Sequence, residues 1–444
     1  MPDKKIRFSY DPSKTPEELV KALKLIQEDF PIDSNSDGIP VDFSIKGAGP
    51  AFSYSKGKAK VSGATKTQVL RALSQLRGYA ILGDIPAKFS EKAQFDTLGL
   101  MLDSSRNAVS RVDTVKLFLR KMALMGMNVL MLYTEETYEV PGHPHIGYMR
   151  GRFTQKELKQ LDDYAFELGV EMFPCIQALA HLGQMLRWPE FYDVTDTSEI
   201  LLVDEPKTYE LVEDMIREAC KPFRSKRVHI GMDEAHGLGT GRFKALNGEQ
   251  STFDIMNRHL GKVVDICDKL GIKPMIWSDM YFRIGSKTHD YYDMESVIPE
   301  DVAKSIPENV QLVYWDYYHD NKEFYLEWID RHRNMGKEPI FAPGLWSWSL
   351  FWPSMNITQR NTNPGMLACK EKGVKEALTT AWGDDANEVD LVGILPGLQQ
   401  FADQGYNDDV DDEMLKRGFA GTTGECVKPW LAAGEIDKID FSPV

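Results

Sequence analysis

The spacing of apolar positions changes near residue 95. Downstream, short contiguous apolar runs alternate with stretches whose apolar residues recur every three or four positions. Contiguous runs fit strands buried on both faces, and the longer period fits amphipathic helices. The runs are TLGLMLD (97–103), NVLMLY (128–133), VEMFPCI (170–176), RVHIGMD (227–233), KPMIWSD (273–279), VQLVYWD (310–316), PIFAPG (339–344) and EALTTAW (376–382). Between them lie VDTVKLFLRKMALMG, TQKELKQLDDYAFELG, FDIMNRHLGKVVDICDKLG and KEFYLEWIDRHRNMG. Each closes on Gly, a normal helix stop. Eight such units predict an α/β chain folded as a closed (β/α)8 TIM barrel. A doubly wound open sheet is the competitor, and the lack of GxGxxG after the first strand counts against it.

Residues 1–90 have a different rhythm. KIRFSY, VDFSIKG and KAKVSG read as strands. TPEELVKALKLIQEDF reads as a helix with Thr15 as N-cap and Pro16 in its first turn, and TKTQVLRALSQLRGYA as a second helix. A small α+β domain therefore precedes the barrel, which occupies 91–405. Residues 406–444 form an acidic extension, YNDDVDDEML at its start, that begins a further helical element.

Polar and aromatic residues gather where the strands stop. They are Asp103 and Arg106; Tyr133, Glu135 and Glu136; Gln177 and His181; Asp233 and Glu234; Trp277 and Asp279; Trp315, Asp316 and Tyr317; Trp346 and Trp348; Trp382, Asp384 and Asp385. In a barrel these strand ends share one rim, where active sites sit. Residues far apart in sequence then become one pocket. Asp233 and Glu234 are the odd feature, because neighbours on a regular strand point to opposite faces. Gly231 before them and HGLGTG after them make a departure from strand geometry cheap.

Composition narrows the ligand. The chain has 444 residues and a formal net charge of -15, which argues against nucleic acid and anionic membranes as partners. Five cysteines without a CxxC pair indicate neither a zinc site nor a disulfide framework. No HExxH spacing favours a metal, and no cofactor is expected. No apolar run reaches the roughly 18 residues of a membrane span, and the N-terminus lacks the apolar core of a leader, so the expectation is a cytoplasmic protein. A rim rich in Trp, Asp and Glu suits carbohydrate: indole faces stack on a sugar's C–H face, and charged groups take its hydroxyls.

The pattern H-x-G-x-D-E in HIGMDEAHGLG resembles that of the family 20 glycoside hydrolases, the exo-β-N-acetylhexosaminidases. LDSSRNAV, LYTEETYE, ALAHLGQ, IWSDM, VYWDYYH and AWGDDANE are similar to the smaller bacterial GcnA-type subgroup. The resemblance implies a retaining enzyme acting on oligosaccharides or glycoconjugates with terminal β-linked GlcNAc or GalNAc. The substrate's own 2-acetamido oxygen would attack the anomeric carbon and give an oxazolinium intermediate. It makes Glu234 the general acid and Asp233 the residue that orients the acetamido group. Glu234 is then expected to keep its proton while Asp233 stays ionised, because adjacent like charges split their pKa values. Arg106 would hold outer hydroxyls and His181 the acetamido side. Trp277, Trp346 and Trp382 would wall the acetyl group and ring. Asp384, or else Glu388, would bind hydroxyls. Tyr317 would bind the acetamido oxygen, although the larger enzymes carry that tyrosine in a YLD-like element, which GLWSWS lacks. Glu135 stands where an Asp is commoner. A homodimer is implied by resemblance only. Two alternatives remain: a barrel that binds amino sugars without cleaving them, and a two-carboxylate retaining glycosidase using Glu234 and Asp279.

Overall fold

The computed structural model describes residues 6–34, 37–106, 108–384 and 389–437. The first sheet contains β1 (Phe8–Tyr10), β2 (Ile32–Ser34), β3 (Ile39–Ile45), β4 (Ala51–Ser55), β5 (Lys58–Gly63) and β6 (Lys88–Ser90), in spatial order β2-β1-β3-β5-β4-β6. Helices Glu17–Ile26 and Lys66–Leu82 belong to the same unit. The expected cap on the first helix shifts by one residue. Pro16 occupies the N-cap, and the Thr15 hydroxyl instead donates to the Asp11 carbonyl at 2.9 Å.

The second sheet closes on itself. Its strands are β7 (Thr97–Asp103), β8 (Val129–Glu135), β9 (Glu171–Ile176), β10 (Arg227–His229), β11 (Lys273–Trp277), β12 (Gln311–Trp315), β13 (Ile340–Ala342) and β14 (Glu376–Ala381). All neighbours run parallel, and β14 pairs with β7 from Glu376↔Thr97 to Ala381↔Leu102 to complete the ring. The expected strands are all present, in the expected order. Met101, Met131, Phe173, Met275, Val313 and Leu378 belong to one buried cluster, which continues to Tyr133, Trp277, Trp315, Tyr317, Trp348 and Trp382. The aromatic wall of the rim is thus continuous with packed core, which holds its rings rigidly.

The first unit meets the helices that follow the barrel. Helix Asp412–Thr423, capped by Asp411, packs on helix Lys66–Leu82. A Cβ on Gly78 would lie 2.3 Å from the Arg417 carbonyl oxygen, and one on Gly421 2.2 Å from that of Ser74, so the two backbones touch. Nearby, buried Arg71 bonds Glu91 at 2.6 Å and Asp403 at 2.8 Å, tying the first unit to helix Leu395–Gln404. Among the described residues, no helix is long and apolar enough to cross a membrane.

Candidate active site

The fourth barrel strand ends sooner than its apolar run implies. β10 stops at His229, and the backbone turns left-handed at Gly231 (φ 68), Met232 (φ 73) and Glu234 (φ 48). Only glycine fits at 231: besides its φ, a Cβ there would lie 2.0 Å from the Gln177 side-chain oxygen. Met232 and Glu234 have no such freedom, and each left-handed residue costs on the order of 1–2 kcal/mol. Strain of this kind is concentrated at functional sites. Its result is geometric: Asp233 and Glu234 no longer diverge but line one cleft.

His181, itself left-handed at φ 54, sits between the two acids. Its Nε2 lies 3.3 Å from Asp233 Oδ2 and 3.5 Å from Glu234 Oε2. Burial works against the imidazolium, but Asp233 and Glu234 outweigh it and hold His181 up at about 10. The effect on the acids is reciprocal. Burial would raise Asp233, yet the His181 charge beside it, with the hydrogen bond from Gln177, brings it down to about 2. Glu234 is also held below the usual glutamate value, its desolvation outweighed chiefly by His181. This corrects the expected split within the adjacent pair. The carboxyl kept neutral is Asp279, which burial, and then the Asp233 charge, pushes up to about 8. The reason is tertiary: the cation lies between Asp233 and Glu234, and Glu234 retains 36% side-chain exposure. Asp279 lies outside the cleft lining. It accepts from the Glu234 backbone N–H at 3.0 Å and from the Trp315 indole at 3.2 Å, so it braces the loop.

The cleft's other end is built around Arg106, on the segment after β7. Its Nε donates to Glu135 at 3.1 Å and its Nη2 to the Tyr133 hydroxyl at 3.2 Å. Asp384 Oδ1 lies 3.6 Å from Nη1. The guanidinium carbon sits 4.9 Å from the Trp382 ring centroid. Asp103 locks this corner, accepting from the backbone N–H groups of Ser105 and Arg106 and, across the barrel seam, of Gly383. Glu136 turns to Arg150 at 2.9 Å and does not line the cleft. Asp385 and Glu388 lie outside the described residues.

The walls are aromatic, and the cleft, open to solvent on one side, spans about 470 Å3 including its mouth. Trp277, Trp315, Tyr317, Tyr318, Trp348 and Trp382 line it with Arg106, Asp233, Glu234 and Asp384. Trp315 stacks on Tyr317 at 5.3 Å, and the Tyr317 hydroxyl accepts the Trp382 indole N–H at 2.8 Å. Trp346 does not reach the lining; it packs 4.1 Å from Trp348, which takes the place expected of it. Ser347 between them is buried, its hydroxyl donating to the Trp382 carbonyl at 2.7 Å, and both indoles join the same aromatic cluster.

Other participants carry weaker traces in the sequence. Gln177 and Tyr133 are polar groups at the ends of apolar strands, the feature that marks the rim, and both are fully buried. Tyr291, hydrogen-bonded to His236 and facing Glu234, sits in an irregular loop after β11 with no strand end to announce it. His229 is a core histidine: burial depresses it to about 3, and its Nδ1 accepts the Gly231 N–H at 3.0 Å. Among the described residues, no group of three or more His, Cys, Asp or Glu side chains could hold a metal ion.

Comparison with known proteins agrees with this geometry. The family described as glycosyl hydrolase family 20, catalytic domain, matches residues 95–327. The chain is 26% identical over 270 residues to the beta-hexosaminidase subunit beta of Entamoeba histolytica, covering 54% of this chain and 44% of that one. It is 25% identical over 259 residues to a beta-hexosaminidase of Akkermansia muciniphila, covering 51% of each. The chain spans about half the length of these relatives. The fold is similar to that of the Streptomyces plicatus N-acetyl-beta-hexosaminidase in complex with Thio-NAglucal, with a TM-score of 0.67 at 17% identity over 98% of this chain and 92% of that one. The GH20 beta-N-acetylhexosaminidase of Streptomyces coelicolor gives 0.66 at 17%, over 99% and 94%. With the family match covering more than half of its length and centred on the barrel, the chain belongs to glycosyl hydrolase family 20.

Proposed function

We propose that the protein is an exo-acting, retaining β-N-acetylhexosaminidase that removes terminal β-linked GlcNAc, and GalNAc as a second substrate, by substrate-assisted catalysis. The observation that carries the reading is the pair Asp233 and Glu234, consecutive in sequence, lining one aromatic cleft and sharing His181. Asp233, ionised and buried, holds the acetamido N–H and balances the positive charge that develops as the acetamido oxygen attacks the anomeric carbon. The Tyr317 hydroxyl accepts from Trp382 and keeps its own proton to donate to that acetamido oxygen. Trp277, Trp315, Trp348 and Trp382 enclose the group and the ring, and Arg106, Glu135 and Asp384 take the outer hydroxyls.

Glu234 delivers the proton to the departing oxygen and later takes one from water, which opens the oxazolinium with retention. Its ordinary ionised state does not prevent this. A bound glycan excludes water from a side chain that is one-third exposed, and desolvation favours the neutral acid. The bracing of Asp279 by Glu234 N–H and Trp315 counts against Glu234 and Asp279 as a nucleophile-acid pair. A homodimer, implied by resemblance, is an accompanying proposal that light scattering reads.

The test compares an aryl β-N-acetylglucosaminide with the matching aryl β-glucoside. Turnover is expected only with the acetamido substrate. Asp233→Asn should lose at least about 10²-fold in kcat. Glu234→Gln should lose most with poor leaving groups and least with activated ones. Equal turnover of the two substrates would sink the substrate-assisted step. Tight binding of a thiazoline mimic without turnover of any substrate would leave a binding barrel instead.

A further inference from the structure

Gln177, the first residue beyond β9, is fully buried. Its side-chain oxygen accepts the Met232 backbone N–H at 3.1 Å. That bond fixes the amide's orientation, so Nε2 must face the other way. Nε2 donates to Asp233 Oδ1 at 2.7 Å and to the Tyr133 hydroxyl at 3.1 Å, using both of its hydrogens. Tyr133 also receives Arg106 Nη2 at 3.2 Å, so its own proton goes to Glu135 at 3.0 Å. Every donor in this chain has one direction open to it. The chain runs from Arg106 and Glu135, at one end of the cleft, to Asp233 at the other. Asp233 Oδ1 meets an N–H it cannot turn away from, so the acid must present a lone pair there, not a proton.

Resting on the activity proposed above, we infer that Gln177 is a positioning residue that fixes the rotation and ionisation of Asp233. Tyr133, in turn, sets Gln177 from the hydroxyl-binding end of the cleft. The acetamido end and the outer-hydroxyl end are then one hydrogen-bonded unit. Gly231 completes the device, because any side chain there would collide with Gln177.

The experiment is a double-mutant cycle on the full chain, with an aryl β-N-acetylglucosaminide as substrate. Gln177→Met keeps the volume and removes both donors. It should lower kcat about 10- to 100-fold, the size of one lost charge-assisted hydrogen bond, with KM changed less than about threefold. The acid limb of the kcat profile should rise by about one pH unit or more, because a carboxylate without its donor protonates more easily. The loss should persist with an activated leaving group, since it acts on Asp233 and not on Glu234. Tyr133→Phe should shift the same limb in the same direction by less. The double variant should match Gln177→Met alone, because Tyr133 acts through Gln177. Should Gln177→Met not fold, Tyr133→Phe, which removes one oxygen, carries the test by its pH limb. Fully multiplicative losses, or an unmoved limb with kcat within about twofold of wild type, overturn the inference. An inactive wild type overturns the proposed activity and takes this inference with it.

Discussion

Replacing His181 with Asn removes the one cation between Asp233 and Glu234 while sparing the backbone. The residue is left-handed at φ 54, and Asn tolerates that region well. Two unit charges at the 3.3 Å separation of His181 and Asp233 interact by about 5 kcal/mol at an effective dielectric constant of about 20. At about 1.36 kcal/mol per unit, Asp233 would rise by up to about 4 pH units, from about 2 towards 6. Glu234 is one-third exposed and sits near the water limit, where 3.5 Å gives about 1 kcal/mol and a rise of roughly one unit. The two rises act on opposite limbs of the pH–rate profile. Activity needs Asp233 ionised, so the acid limb moves up into the measurable range. It needs Glu234 protonated, so the alkaline limb also moves up. The assay is kcat/KM for an aryl β-N-acetylglucosaminide across pH 3–10, with thermal melting to check folding. A His181→Asn profile that falls in height with both limbs unmoved would refute the electrostatic role given to His181.

Two further predictions concern the scaffold. Gly231→Ala adds left-handed strain of about 1–2 kcal/mol. It also forces Gln177 out of its bonds, adding about 1–3 kcal/mol for buried polar groups left unpaired. The melting temperature should drop and kcat should fall with it; a variant equal to wild type in both would contradict the close approach at 231. Arg71→Met strands Glu91 and Asp403 without their cation and should cost about 3–5 kcal/mol in chemical denaturation. Asp403→Asn should be far milder, because Arg71 keeps Glu91. Burial raises Asp403 to about 6, above its unfolded value, so its contribution to stability is present in acid and lost as pH rises from about 4 to 6. Asp403→Asn should flatten that part of the stability curve, and an unchanged slope would count against the assignment.

The barrel is legible because a parallel sheet buried on both faces writes itself as contiguous apolar runs, and eight of them cannot be hidden by surface variation. The strand-end rule likewise brings Arg106, Asp233, Trp277 and Trp382 to one rim from the letters alone. What alternation of residue types does not reveal is the backbone's turn at Gly231, Met232 and Glu234. The run RVHIGMD is largely apolar, yet only its first three residues pair as strand. Ionisation escapes the sequence for a related reason. Adjacency puts Asp233 and Glu234 in competition, but His181, distant in sequence, arrives through the fold and stabilises both anions. Trp346 and Trp348 are chemically equivalent in a string of letters, and only the packing puts the second of them in the cleft lining.

The clasp between helix Lys66–Leu82 and helix Asp412–Thr423 has a practical consequence. Each strips water from the other at positions where glycine lets main chains touch, so neither helix is an optional appendage. A trimmed barrel of residues 91–405 would lose both helices, bare the faces of helices Val112–Met125 and Leu395–Gln404 that they cover, and leave Glu91 and Asp403 without Arg71. Anyone seeking a minimal catalytic fragment should expect aggregates from it, and should rather fuse tags or cut new termini in the outward loops of the barrel.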